Sequence, residues 1–221
     1  MALKGPTGMG MAKLMNDQEQ GTTANEYSFS VADAPDAVSA EVIKGSVDIA
    51  AVPTNLASVL YAKTKGEVQV VALNTLGVLY LLENGNTIQS ISDLKGKTIY
   101  ASGQGATPEY VLRYLLEKNN IDPDKDVTIE YKAEHSELAT LMTAGEVVLG
   151  VLPEPNVTAV LSGNSDVRIA LNLTEEWNKL DNGSGLITGV IVFAAAIAGT
   201  SYFARKETEP LKHLATIARE F

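Results

Sequence analysis

The sequence repeats itself at an offset of 100 residues, and this self-similarity limits the fold more than any single motif. In that register Gly5 meets Gly105, and Met11-Ala12-Lys13-Leu14-Met15 meets Val111-Leu112-Arg113-Tyr114-Leu115. The alternating Tyr27, Phe29 and Val31 meet Val127, Ile129 and Tyr131, and residues 38–45 meet 138–145. Residues 47–53 fall on 147–153. After a one-residue insertion, residues 55–60 fall on 156–161, and Val68-Gln69-Val70 falls on Val167-Arg168-Ile169. Chance similarity does not hold register through so many elements.

Each unit reads as strand, Gly-rich turn, helix, strand, helix, strand, Pro-led helix, strand. Apolar residues recur three and four apart in the helical segments, as at Val38 and Val42, or Leu138, Leu141 and Met142. Gly45 and Gly145 stand where a left-handed residue ends a helix. The apolar runs that follow, 47–52 and 147–152, suit parallel strands covered on both faces. Alternating strands and helices predict two similar, doubly wound α/β lobes. Residues 77–83 (GVLYLLE) and 185–192 (GLITGVIV) are extended apolar runs after each unit, read as two strands crossing between the lobes to form a hinge. The expected division is residues 1–76 plus 190–221 for lobe one and 77–189 for lobe two.

Composition narrows the function. The net charge is −10 and the basic residues are scattered, which disfavours a nucleic-acid partner. With no cysteine and two histidines, His135 and His213, neither a thiolate nor a histidine-rich metal site is expected. No Gly-x-Ser-x-Gly, zinc-protease or phosphate-loop pattern occurs, and Gly103-Gln104-Gly105 has Pro108 where a dinucleotide fingerprint needs its third glycine. No cofactor and no catalytic residue are expected. The opening residues carry no secretory signal, so the chain reads as a mature form without its leader.

In open α/β sheets, ligands bind beyond the carboxyl ends of the strands, near helix N-termini. Four turns occupy such places. In lobe one they are Lys4-Gly5-Pro6-Thr7-Gly8-Met9-Gly10, before a helix expected near residues 11–17, and Val52-Pro53-Thr54-Asn55. In lobe two they are Ser102-Gly103-Gln104-Gly105-Ala106-Thr107-Pro108-Glu109 and Leu152-Pro153-Glu154-Pro155-Asn156. If the lobes face each other, the four turns converge on one cleft. Glycines there let a ligand approach the backbone, and N–H groups of Thr7–Met9 and Ala106–Thr107 suit an anion. Thr107 reads as an N-cap with Pro108 in the first turn. The competing reading is that each turn is only a well-made helix start. Glu154 could receive a ligand amine or hydroxyl, or be a solvated acid favoured by a helix N-terminus. His135 reads as a local structural residue at the start of a helix over 136–144. Tyr80 and Tyr100 read as core residues of strands, with lining the cleft as the alternative.

The opening Leu3-Lys4-Gly5-Pro6-Thr7-Gly8-Met9-Gly10, the run Gly45-Ser46-Val47-Asp48-Ile49-Ala50, the segment Ile91-Ser92-Asp93-Leu94-Lys95-Gly96-Lys97 and Leu152-Pro153-Glu154-Pro155 resemble substrate-binding proteins of ABC importers. The resemblance is to the group of alkanesulfonate, taurine and nitrate binders and thiamine-precursor-like proteins, and covers residues 2–192. It implies a type II periplasmic-binding-protein fold, a periplasmic or extracellular membrane-associated location, and an ABC permease and ATPase as partners of a protein that binds a small molecule. Carried onto this sequence, the ligand residues are Gly5, Pro6, Thr7, Gly8, Met9, Pro53, Thr54, Asn55, Gly105, Ala106, Thr107 and Glu154. The alternatives are an enzyme of the thiamine-precursor-like group, whose cysteine-rich motif is absent here, and a truncated remnant that binds nothing.

The chain departs from that group after Val192, where a short atypical tail replaces several helices. Residues 186–203 carry no charge, about long enough for a helix to cross a bilayer. Gly, Thr and Ser dilute the stretch, and its first part is needed as the returning strand. Residues 205–221 read as an amphipathic helix with Leu211, Leu214, Ile217 and Phe221 on one side, a possible route to a dimer.

Overall fold

The computed structural model describes residues 1–180, 183 and 185–194. The tail beyond Ala194, with its expected amphipathic helix and dimer contact, lies outside the described residues. Two compact units form, one from Met1–Leu76 with the strand Ile187–Ala194, the other Gly77–Leu186.

In unit 1, β1 (Ala2–Leu3), α1 (Pro6–Met9), α2 (Ala12–Glu19), β2 (Val31–Ala32), α3 (Pro35–Lys44), β3 (Ile49–Pro53), α4 (Thr54–Lys63) and β4 (Val68–Leu76) are joined by β10 (Ile187–Ala194). The sheet order is β2-β1-β3-β10-β4. In unit 2, β5 (Leu79–Asn84), β6 (Thr98–Ser102), α5 (Thr107–Lys118), β7 (Thr128–Lys132), α6 (His135–Thr143), β8 (Leu149–Pro153), α7 (Asn156–Gly163), β9 (Val167–Asn172) and α8 (Leu173–Asn178) give the order β7-β6-β8-β5-β9. The two orders superimpose. Each sheet is a parallel trio plus an edge strand, with β10 or β5 inserted antiparallel beside the third strand.

The repeat persists in the helix ends. Ser46 N–H donates to Glu41 O and Gly45 N–H to Val42 O, both at 3.1 Å; Glu146 N–H donates to Leu141 O and Gly145 N–H to Met142 O at 2.9 and 3.0 Å. Both pairs satisfy last-turn carbonyls through a glycine in the left-handed region, φ 75° at Gly45 and 79° at Gly145.

Cores explain which segments became strands. In β5, Leu79 and Leu81 face the cluster with Leu112, Leu115 and Leu116 of α5, while Leu82 faces Leu138 and Met142 of α6. Burial on both faces is why this run reads as continuously apolar. In unit 1 the α3–α4 side is well filled by Val38, Val42, Leu60, Val52, Val190 and Val192. Its opposite side is thin, with Met11, Ala2 and Ala51 at the centre.

The helix expected near 11–17 is α2, and a separate turn, α1, precedes it, because Pro6 sets a first-turn φ and Gly10–Met11 separates the two. Two expectations are corrected. The alternation at Tyr27, Phe29 and Val31 yields only a two-residue strand. Residues 187–189, expected in lobe two, belong to unit 1, since β10 starts at Ile187 and pairs with β3 and β4. The same pairing makes the uncharged stretch from 187 to 194 a sheet strand, and no helix among the described residues is long and apolar enough to cross a membrane.

Candidate functional site

Each unit brings its two turns to the carboxyl ends of adjacent parallel strands: those of β1 and β3 in unit 1, and of β6 and β8 in unit 2. At this end of an α/β sheet the strands stop, helices begin, and backbone donors are exposed.

In unit 1 much of the first turn is committed to its own unit. Thr7 is buried, and its hydroxyl donates to Leu3 O at 2.9 Å. Met9 N–H donates to Gly5 O at 2.9 Å, so it is not the anion donor expected. A Cβ on Gly8 would stand 2.9 Å from Leu3 O, so close packing, rather than ligand approach, requires glycine there. Asn74 of β4 donates to Thr7 O at 2.8 Å and clamps the turn from the sheet edge. Gly5 has φ 100° and ψ −147°, a conformation almost exclusive to glycine. Pro6 starts α1 and Pro53 precedes α4, each fixing a helix entry. Thr54 donates its hydroxyl to Ile187 O at 2.9 Å, tying α4 to β10, and Asn55 follows in the first turn of α4.

In unit 2 the turn after β6 is also partly self-satisfied. Ala106, not Thr107, is the N-cap of α5; Thr107 lies one residue inside the helix, with Pro108 beside it. Ala106 N–H donates to Gly103 O at 3.0 Å, which removes it as a ligand donor. Gly105, at φ 73°, donates its N–H to Glu109 Oε2 at 2.6 Å. The Glu109 carboxylate thus stands at the start of α5, where the helix favours negative charge.

The structure joins Ser102, which heads the second-unit turn, to His135, which the sequence reads as a local structural residue. Ser102, at the end of β6, is fully buried, and its Oγ lies 2.5 Å from Nδ1 of His135, the first residue of α6. Burial pushes the imidazole below its ordinary pKa, against the opposing influence of Glu134. A neutral ring that accepts the Ser102 proton at Nδ1 carries its own proton at Nε2 and can donate it. Gly103 lies against this ring: a Cβ there would come 3.3 Å from His135 Cε1. Nearby in β7, the Tyr131 hydroxyl is buried with no hydrogen-bond partner among the described residues. It is pushed up to about 12, first by burial and then by Glu109. Its neutral O–H is a second donor held in the unit.

Glu154 has a local role. Its Oε2 accepts from Thr158 N–H at 3.1 Å and Thr158 Oγ1 at 2.9 Å in the first turn of α7. Its own N–H donates to Val78 O at 3.0 Å, where the chain enters unit 2. Tyr80 and Tyr100 pack against the α6–α7 core, and Lys132 Nζ lies 5.6 Å from the Tyr100 ring. The described residues hold no group of three acids or histidines able to bind a metal.

The model of the phosphonate periplasmic substrate-binding family of ABC transporters matches residues 9–180. An ABC transporter structure from Parabacteroides distasonis aligns with a TM-score of 0.72 at 24% identity, covering 100% of this chain and 72% of that one. The periplasmic aliphatic sulphonate binding protein of Escherichia coli aligns at 0.68 and 17% identity, over 99% of this chain and 68% of that one. A binding-protein component of an ABC phosphonate transporter from Pseudomonas aeruginosa aligns at 0.55 and 14% identity, over 97% and 76%. Comparison with curated proteins finds no match.

Proposed function

The chain belongs to the phosphonate periplasmic substrate-binding family of ABC transporters, and from that premise we propose that it captures a small organic anion, a phosphonate or sulfonate, for an ABC importer. The family and the aligned structures are binding proteins rather than enzymes. One observation carries the ligand reading: a Gly-rich turn, a helix start and a serine-held imidazole meet at the carboxyl end of β6.

His135 Nε2–H is the proposed central donor to an anionic oxygen. Burial keeps the ring's pKa low in the free protein, and an anion held at Nε2 favours its taking up a proton. Thr107, in the first turn of α5, is the proposed further contact, with Gly105 giving the backbone its course there. Glu154 is proposed to receive a polar group of the ligand's far end through the carboxylate that caps α7. An anionic head against donors and a second polar group against a carboxylate describe a zwitterion as well as a simple anion.

A thermal-shift panel of alkylphosphonates, alkanesulfonates, short carboxylates and alkylamines tests this reading. Stabilisation by the first two classes and none by amines is expected. Stabilisation by amines alone would reverse the sign of the site, and none by any class would leave the chain without a demonstrated ligand.

A further inference from the structure

Within unit 2, a carboxylate sits on a donor of the β6–α5 turn while a second donor beside it goes unused. Glu109 is the third residue of α5, a position from which a glutamate ordinarily reaches back to the N–H of the residue capping the helix. Here the cap is Ala106, whose N–H is already taken by Gly103 O at 3.0 Å. Glu109 therefore reaches one residue further and accepts from Gly105 N–H at 2.6 Å. That N–H belongs to the Gly-rich turn between Ser102 and Thr107, proposed above to hold an anion. The free chain thus places an acid of its own on a donor of that turn.

The unused donor is Tyr131. It lies opposite Ala101 in the β6–β7 ladder, one residue before the level of Ser102, and packs against the core beneath α5. Its hydroxyl oxygen is buried and bonds to none of the described residues. A buried donor without a partner is costly and uncommon. The charged side chains that act on it are Glu109 and Arg113. Arg113 is already held by Asp124 at 2.7 Å, which leaves the Glu109 carboxylate as the acceptor this hydroxyl can gain. An incoming anion competes with Glu109 for Gly105 N–H, and two negative groups on one donor repel each other. We propose that Glu109 regulates the anion site as a two-position carboxylate: it holds Gly105 N–H in the free chain, and a bound anion takes that N–H and turns the carboxylate onto the Tyr131 hydroxyl. This rests on the β6–α5 turn being the anion site. The internal acid lowers affinity by competing with the ligand, and the waiting hydroxyl limits that loss by receiving the acid when it leaves.

The test is calorimetric titration of the full chain, Glu109→Ala, Tyr131→Phe and the double variant with methylphosphonate and with methanesulfonate. Glu109→Ala should bind the tighter of the two acids about five- to tenfold better, since no charged acceptor then competes for the turn. Tyr131→Phe should bind it about three- to tenfold more weakly, and should change affinity less than about twofold when Glu109→Ala is also present. A tyrosine that served only packing would have the same effect in both backgrounds. An acid that acted only through its field would leave Tyr131→Phe without effect. Either result would overturn the proposal. Equal affinity in the parent and Glu109→Ala would overturn it too, while leaving the anion site standing. Binding to none of the four proteins would remove the anion site as well. Melting of the free proteins tests the starting state without any ligand. Tyr131→Phe should raise the Tm or keep it within about 3 °C of the parent, because the hydroxyl has no partner to lose. A larger fall would place the hydroxyl on Glu109 before any ligand arrives, and would overturn the two-position arrangement.

Discussion

Ser102 Oγ lies 2.5 Å from Nδ1 of His135, joining the end of β6 to the first residue of α6 across 33 positions of sequence. The bond fixes both the orientation of the imidazole and which nitrogen faces outward. His135→Ala should therefore weaken binding of an alkanesulfonate at least tenfold, the loss of one hydrogen bond to a charged group. Ser102→Ala should weaken it less, while destabilising the fold by about 1–3 kcal/mol through the buried Nδ1 left unpaired. Calorimetric titration and melting of the two variants separate these effects. Equal affinity in His135→Ala and the parent would remove His135 from the site.

The depressed pKa of His135 gives a pH dependence with a definite sign. The free folded protein holds the ring neutral while the unfolded chain takes up a proton near 6.5, so this contribution to stability is full above that value and is lost as pH falls below it. Ligand binding runs the other way. A bound anion favours imidazolium, so affinity for a sulfonate, which does not titrate in this range, should rise as pH falls from 8 to 5.5. Titrations in buffers of different ionisation enthalpy should detect proton uptake on binding. A pH-independent affinity without proton uptake would contradict contact between His135 and the anion.

Glu83 and Arg168 form the other buried polar centre of unit 2. Glu83 is 2% exposed, and its carboxylate accepts from Thr87 N–H and Oγ1, Ile88 N–H and Arg168 Nη2, the last at 2.6 Å. Burial works to raise its pKa, yet the donors outweigh it and hold the carboxyl below its ordinary value. Its stabilising contribution is thus present above about 4.5 and lost as pH falls through the lower folded value. Glu83→Gln should cost about 1–3 kcal/mol at pH 7, with the gap to the parent closing in acid. Chemical denaturation at pH 7 and pH 3.5 measures both ends, and a gap of equal size at the two would contradict this reading.

Gly5 and Gly105 share a place in the repeat but differ in conformation. A Cβ has open space at both, so substitution is resisted by the backbone alone. Gly5→Ala should cost about 1–3 kcal/mol, since ψ −147° at φ 100° suits only glycine. Gly105→Ala, at φ 73°, should cost about 1–2 kcal/mol. Melting of both variants checks the order, and an unperturbed Gly5→Ala would show that the turn can adopt another course.

The repeat made the architecture legible because each element is a local pattern: Pro53 and Pro153, or Gly45 and Gly145, occupy the same structural place 100 residues apart. The hydrogen-bond economy of the turns was not legible. Nothing local says that Glu109 will take the Gly105 N–H, or that Gly8 is small because Leu3 O lies behind it. The same holds for Ser102 and His135, an ordinary strand-end serine and an ordinary first-turn histidine until β6 and α6 pack together. Nor does the repeat foretell that β4, at nine residues, would outgrow its six-residue counterpart β9 and expose its apolar side chains.

Isothermal titration of the full chain with an alkylphosphonate or alkanesulfonate, against an alkylamine of equal size, bears most directly on the proposal that it binds organic anions. One ligand per chain is expected for at least one of the two acids, with no heat of binding from the amine. At 100 times the Kd that ligand should stabilise the fold by about 2.7 kcal/mol. A well-folded chain that binds neither acid, or that binds the amine instead, would contradict it.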